Sequence, residues 1–217
     1  MIVALDIETI ANPDTFALLP EPTAKKNLKD QAKIAADIAE KKAAQVADAA
    51  LDALTGRVLC YAFVNAEGEW GDILPEMTDA AETELLQGLF KILGSDGVRL
   101  VTWNGMGFDM PFIYKRAAIL DVCPSNFNAP PLNAWMKRYS TDAHYDLMQV
   151  WGGWRDYVKL DLVAGLMLGE RKKEIDFALF PELMKTEEGR NTIAEYCLQD
   201  TRLTWRLWER MQGVLFA

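Results

Sequence analysis

Apolar and polar residues alternate over residues 2–8 (IVALDIE), and β-branched residues are prominent there. The pattern predicts a strand near the start of the chain. Pro13, Pro20 and Pro22 interrupt the next stretch. Between Thr23 and Thr55 there is no Gly or Pro, and Ala dominates. That segment predicts a long helix or a helical pair, with its least polar stripe at Leu28, Ala32, Ala35, Ala39, Ala43, Val46, Ala50 and Ala53. Residues 57–64 (RVLCYAFV) and 69–74 (EWGDIL) flank Asn65-Ala66-Glu67-Gly68, which predicts a β-hairpin. Residues 79–94 carry Leu85, Leu86, Leu89, Phe90 and Leu93 at helical spacing. Residues 98–103 (VRLVTW) form a near-continuous apolar run, as a buried strand would. A helix is expected to start at Asp109–Pro111, since Pro suits a first helical turn. Residues 124–141, with three prolines, predict irregular chain. Short helices are expected at 146–151 and 159–168, and a long one from about 187 to 215. This order of elements indicates an α/β fold around a mixed sheet.

With 217 residues, half of them apolar and a quarter charged, the chain reads as one globular domain, 1–217, with room for an insertion at about 14–55. No apolar run reaches the ~20 residues of a membrane span, and no signal peptide is seen, so a cytoplasmic location is expected. Cys60, Cys123, Cys197 and the single His144 lack the paired spacing of a zinc site, and reduced thiols are expected. The net charge of −9 argues on its face against nucleic acid. The charge is uneven, however. Residues 24–55 carry six lysines against five acids and are the only net-positive segment. Residues 101–217 hold 14 of the 23 basic residues, including Arg171-Lys172-Lys173. Lys173 reads as a phosphate contact or as part of a solvated basic run.

Three acidic sites depart from the hydrophobic pattern. Asp6 and Glu8 share one face of the first strand with Ile2 and Ala4. Like charges side by side repel unless a cation lies between them, or the strand end simply emerges into solvent. Asp109 closes a Gly-rich turn, Trp103-Asn104-Gly105-Met106-Gly107-Phe108, between a strand and a helix. Ligands sit at such turns in α/β folds, although Asp109 would equally serve as a helix cap. Asp200 lies within the apolar stripe Ile193, Cys197, Thr204, Leu207, Met211 and Val214 of the last helix. An unpaired carboxylate there costs several kcal/mol. A salt bridge to Arg202 or Arg206 would satisfy it. So would hard divalent cations, which favour oxygen ligands. Two Mg²⁺ or Mn²⁺ ions roughly 3.5–4 Å apart would match four carboxylates and drive phosphodiester hydrolysis.

The order LDIET, NGMGFDMPFI, YCLQD resembles the three motifs of the DEDD superfamily of 3′–5′ exonucleases, most nearly the exonuclease domain of family-B DNA polymerases. Tyr196, four residues before Asp200, matches the tyrosine subclass; the histidine subclass would need His where Glu195 stands. The likeness covers about residues 1–10 and 57–217, including His144-Tyr145-Asp146-Leu147 and the stretch 160–173. It implies an RNase H-like fold, a mixed β-sheet flanked by helices, with an Ala-rich helical insertion after the first strand. It implies two divalent cations, Mg²⁺ or Mn²⁺, held by Asp6, Glu8, Asp109 and Asp200, with Tyr196 beside the attacking water. Thr9, Ile10, Asn104 and Phe108 are expected to contact the terminal nucleotides. The expected partner is a nucleic acid 3′ end, preferably single-stranded DNA, in replication or repair. An exoribonuclease and a non-catalytic binding module on the same fold are the alternatives. The insertion is the main departure from the family pattern. It is expected either to project roughly 45–50 Å as one helix or to fold back as a helical hairpin.

Overall fold

The structure, a computed structural model, describes residues 1–153 and 156–216. Five strands form a mixed sheet in the order β3-β2-β1-β4-β5. They are β1 (Ile2–Ala11), β2 (Gly56–Asn65), β3 (Gly68–Ile73), β4 (Arg99–Thr102) and β5 (His144–Asp146). β1 runs parallel to β4, and β4 parallel to β5. β2 and β3 form the expected antiparallel hairpin, with Asn65 opposite Gly68. The Asn65 side chain accepts the N–H groups of Glu67 and Gly68 and closes the turn. The described residues also form eight α-helices: α1 (Gln31–Asp48), α2 (Asp79–Leu93), α3 (Asp109–Ile119), α4 (Leu132–Trp135), α5 (Leu147–Gly152), α6 (Leu160–Leu168), α7 (Phe180–Leu183) and α8 (Glu187–Leu215). Short 3₁₀ turns precede or join several of them. Among the described residues no helix is long and apolar enough to cross a membrane.

Two compact units divide the chain: Met1–Glu8 with Val58–Ala217, and Thr9–Arg57. In the larger unit, Ala4, Val64, Val101, Trp103 and Tyr145 on the strands pack with Val163 and Ala164 of α6 and Leu203, Leu207, Trp208 and Met211 of α8. This layer holds α8 against the face of β1 that also carries Asp6 and Glu8. The opposite residues of β1, Val3, Leu5 and Ile7, are buried as well. β1 is therefore a central strand, not one emerging into solvent. α2 is capped by the Thr78 side chain and ends at Gly94, as its sequence predicts. Its first turn contains a fully buried Glu82. This carboxylate takes the Val58 N–H at 2.9 Å and a bidentate Arg116 guanidinium at 2.7 and 2.8 Å. All three free cysteines stand as thiols, with Cys60 and Cys197 buried and Cys123 exposed.

The smaller unit corrects the expectation for the insertion. It is neither a 45–50 Å helix nor a helical hairpin. α1 has 18 residues, about 27 Å, and starts where Asp30 caps the Lys33 N–H. Before it, Lys25, Lys26 and Lys29 would stack like charges on one helical side, which disfavours extending the helix backwards. That segment instead runs non-helical alongside α1. Lys41 donates to the Thr23 carbonyl, Gln45 to the Pro20 carbonyl and Lys42 to Glu21. The stripe residues within α1, Ala32, Ala35, Ala39, Ala43 and Val46, are exposed, and the buried residue of α1 is Asp37. It pairs with Lys25 and Lys41 at 3.4 and 2.9 Å and accepts the Lys25 N–H. These pairs select the inward face, because Ala side chains bury too little area to do so.

Candidate active site

Three segments converge on one cluster. β1 projects Asp6 and Glu8 toward α8. α8 delivers Asp200 and Tyr196 from its buried side, and Cys197 Sγ, 3.5 Å from the Asp6 carbonyl oxygen, sits at the contact. One carboxylate oxygen each from Asp6, Glu8 and Asp200 lie within 4.8 Å of one another. Asp109, at the first turn of α3, accepts the Ile7 N–H at 3.2 Å. That amide lies beyond Ala4, the last β1 residue paired with β4. Asp109 thus reaches β1 between the two strand carboxylates. Glu8, Asp109 and Asp200 are 8%, 3% and 2% exposed.

Water is largely excluded from these carboxylates, and each faces others. Burial first, then the neighbouring Asp109, Glu8 and Asp200 charges, push Asp6 well above the usual carboxylate range. Burial raises Glu8 to about 8, against the lowering influence of Lys172. It raises Asp109 to about 7 despite the Ile7 N–H. Asp200 is raised by burial too.

The cation inside the cluster is Lys172. α6 ends at Gly169, which is left-handed at φ 71°, and Asp161 then takes the Lys172 N–H at 3.0 Å. The turn aims the Lys172 side chain at α8, where its ammonium pairs with Asp200. Its Nζ also lies 4.9 Å from the centroid of the Tyr196 ring. Burial opposes the lysine charge, but Asp200 and Tyr196 outweigh it and hold the ammonium above the ordinary lysine range. Burial raises the Tyr196 hydroxyl, against the lowering influence of Lys172. Arg202 and Arg206 do not partner Asp200: Arg202 pairs with Glu69 and Glu195, and Arg206 with Glu170. Lys173 is exposed, so the inward-facing lysine is its neighbour. Sequence reasoning missed Lys172 because a run of three basic residues does not reveal which one a helix end turns inward.

The cluster fits a divalent cation. Four carboxylates and one ammonium leave three negative charges when all are ionised. Asp200 Oδ1 is buried without a hydrogen-bond partner, as an oxygen waiting for a cation would be. Without metal, these groups make stability depend on pH. Raised carboxylates bind protons in the folded state that the unfolded chain has released, so stability falls as pH rises. Between about pH 5 and pH 8 the melting temperature of the metal-free protein is expected to drop, as Glu8 and Asp109 lose protons. Saturating Mn²⁺ is expected to abolish or reverse the drop, since metal replaces the protons. Scanning calorimetry in buffers with and without Mn²⁺ checks this. A metal-free melting temperature that stays level across the window would contradict it.

Residues 56–215 match a family described as "Predicted 3'-5' exonuclease related to the exonuclease domain of PolB". The chain belongs to that family. Among the relatives of this exonuclease-related chain, DNA polymerase 1 of Sulfurisphaera ohwakuensis is 31% identical over 166 residues, covering 69% of this chain and 19% of the polymerase. The DNA polymerase catalytic subunit of Alcelaphine herpesvirus 1 is 29% identical over 147 residues, 57% of this chain and 14% of the relative. The chain therefore spans less than a fifth of the length of these relatives. The solved family B DNA polymerase of Pyrobaculum calidifontis superposes with a TM-score of 0.61 at 19% identity. That match covers 97% of this chain and 24% of the polymerase. The shared fold is the RNase H-like mixed sheet flanked by helices.

The sequence also singles out Asn104, Phe108, Thr9 and Ile10. Asn104 and Phe108 lie on the loop that leads to Asp109. Asn104 is left-handed at φ 68°, and its carbonyl accepts the Gly107 and Phe108 N–H groups at 2.9 Å. Phe108 is half-buried, with its ring 5.5 Å from that of Phe112. Thr9 and Ile10 continue β1 past Glu8 and are buried. His144 bonds Thr102 and the Trp135 carbonyl.

Proposed function

We propose that this chain is a metal-dependent 3′–5′ exonuclease of the tyrosine subclass, releasing nucleoside 5′-monophosphates from single-stranded DNA 3′ ends. The observation that carries the reading is the convergence of the Asp6, Glu8 and Asp200 carboxylates, with Asp109 held on the Ile7 amide between the two strand carboxylates. The four carboxylates would hold two divalent cations, Mg²⁺ or Mn²⁺. When bound, such ions supply Lewis acidity that generates the nucleophile from water and stabilises the leaving oxygen. The protein's own part is positional. Tyr196 presents a hydroxyl whose proton is strongly held, suited to orient the attacking water by hydrogen bonding. Lys172 is the basic side chain at hand for a phosphate oxygen once cations compensate Asp200. Thr9, Ile10, Asn104 and Phe108 would seat the terminal nucleotides. Residues 14–55 would be an insertion within one exonuclease domain, and its exposed Lys26, Lys29 and Lys33 would raise affinity for longer strands through phosphate contacts. DNA is favoured over RNA because the relatives are DNA polymerases. Matched DNA and RNA oligomers, 5′-labelled and digested with Mn²⁺, separate the two.

Tyr196→Phe keeps the ring and removes the hydroxyl. Acid–base help is worth typically 10²–10⁴-fold, and the cations retain part of the water activation. The variant is expected to lose roughly tenfold to several hundredfold in single-turnover rate, with oligonucleotide affinity within about twofold. A rate equal to the parent's would remove Tyr196 from the chemistry.

A further inference from the structure

The loop from β4 to α3 turns three successive backbone N–H groups toward one buried wall. Asp146, at the end of β5, accepts two of them: Asn104 to Oδ1 and Met106 to Oδ2, both at 2.9 Å. Thr102 Oγ1 accepts the third, from Gly105, at 3.0 Å. The same hydroxyl lies 2.7 Å from His144 Nε2, and His144 Nδ1 lies 3.1 Å from the Trp135 carbonyl. A carbonyl only accepts, so Nδ1 carries the proton and the Thr102 hydroxyl donates to Nε2. The hydroxyl oxygen is thereby left facing Gly105. Thr102, His144 and Asp146 are all at most 4% exposed. A Cβ on Gly105 would collide with the Thr102 side chain, so only glycine lets the loop approach so closely.

The clamp acts on the candidate site through the chain. The Asn104 carbonyl takes the Gly107 and Phe108 N–H groups, and the Gly105 carbonyl takes that of Met110. Fixing Asn104–Met106 therefore fixes the first turn of α3 and Asp109 with it. Asp146 is a costly way to fill space, because it adds negative charge beside Asp109. Its two oxygens, however, meet two amides that the Gly-rich turn leaves without strand or helix partners.

We infer that Asp146 is a positioning residue: with Thr102 and His144 it holds the 104–106 loop so that Asp109 faces Asp6. This rests on the reading of Asp109 as a metal ligand. Residues that orient metal ligands typically contribute 10–100-fold to metal affinity or activity. An amide of the same shape can accept one N–H but turns its own NH₂ against the other. Asp146→Asn is thus expected to weaken Mn²⁺ binding by roughly 10- to 100-fold in titration calorimetry. The Asn104 and Met106 amides should exchange faster with solvent.

A double-mutant cycle separates positioning from plain loss of charge. Asp6, Glu8 and Asp200 still offer a site in Asp109→Ala, so Mn²⁺ binding remains measurable there. In that background Asp146→Asn is expected to change Mn²⁺ affinity by less than about twofold. An equal loss in both backgrounds would overturn the inference, as would parental affinity in Asp146→Asn alone. If Asp109→Ala itself binds Mn²⁺ like the parent, it is the ligand assignment that fails. Should Asp146→Asn not fold, Thr102→Val, which keeps the β-branched shape and removes the Gly105 acceptor, is carried through the same cycle with the same criteria.

Discussion

Asp200→Ala is expected to abolish exonuclease activity while leaving the metal-free protein folded and at least as stable as the parent. Asp200 is buried in the apolar face of α8 and its proton affinity is raised by that burial. It also raises Asp6 and Glu8. Removing it therefore relieves repulsion among the remaining carboxylates. Lys172 loses its partner but stays close to Asp6 and to the Tyr196 hydroxyl. For catalysis the change removes the oxygen that has no protein partner, and with it a ligand to the ions. Metal stabilisation of developing charge is worth several kcal/mol. At 1.36 kcal/mol per tenfold, the rate should fall by at least about 10³-fold. Single-turnover digestion and a thermal melt on the same preparation check both halves. Residual activity within tenfold of the parent would contradict the assignment.

The largest stability effect is expected outside the site, at Glu82. Its carboxylate is the bidentate partner of Arg116 and the acceptor for the Val58 N–H, and both side chains lie in the core. Glu82→Ala removes the bidentate carboxylate partner of Arg116 beside an amide that has also lost its acceptor. Breaking a buried pair from one side costs about 3–5 kcal/mol. At roughly 2–4 °C per kcal/mol for a chain of this size, the melting temperature should fall by about 6–20 °C. Removing both charges with hydrophobic residues of matching volume should recover much of that loss, since such replacements are often neutral. A Glu82→Ala protein melting within 2 °C of the parent (roughly 1 kcal/mol or less) would show that the pair is not a net support.

The elements of the sheet were legible because their patterns are local. The alternation of residues 2–8, the Asn65–Gly68 turn and the apolar run before Asn104 each declare a strand without tertiary information. The candidate site was legible for the opposite reason: Asp6, Glu8 and Asp200 violate the hydrophobic pattern of the elements that carry them. What escaped depends on contacts distant in sequence. β5 is three residues long and exists by pairing with β4. Glu82 looks like any charged residue in a first helical turn until Arg116, 34 residues on, closes over it. Asp146 and Lys172 sit in stretches that the sequence singles out, yet nothing local marks them. One is defined by the amides of a loop about 40 residues earlier, the other by where α6 stops. The extent of α1 was misread because a run free of Gly and Pro permits one long helix or a helical pair, whereas Asp30 caps the helix and the Asp37–Lys25 pair holds the preceding segment alongside it.

The most direct measurement is digestion of a 5′-labelled single-stranded DNA by the purified chain with Mn²⁺ or Mg²⁺, beside EDTA and Asp200→Ala controls. The account predicts a descending ladder of products shortened one nucleotide at a time from the 3′ end, absent in both controls. Immediate release of the labelled 5′ mononucleotide, or a ladder indifferent to EDTA or to Asp200→Ala, would contradict it.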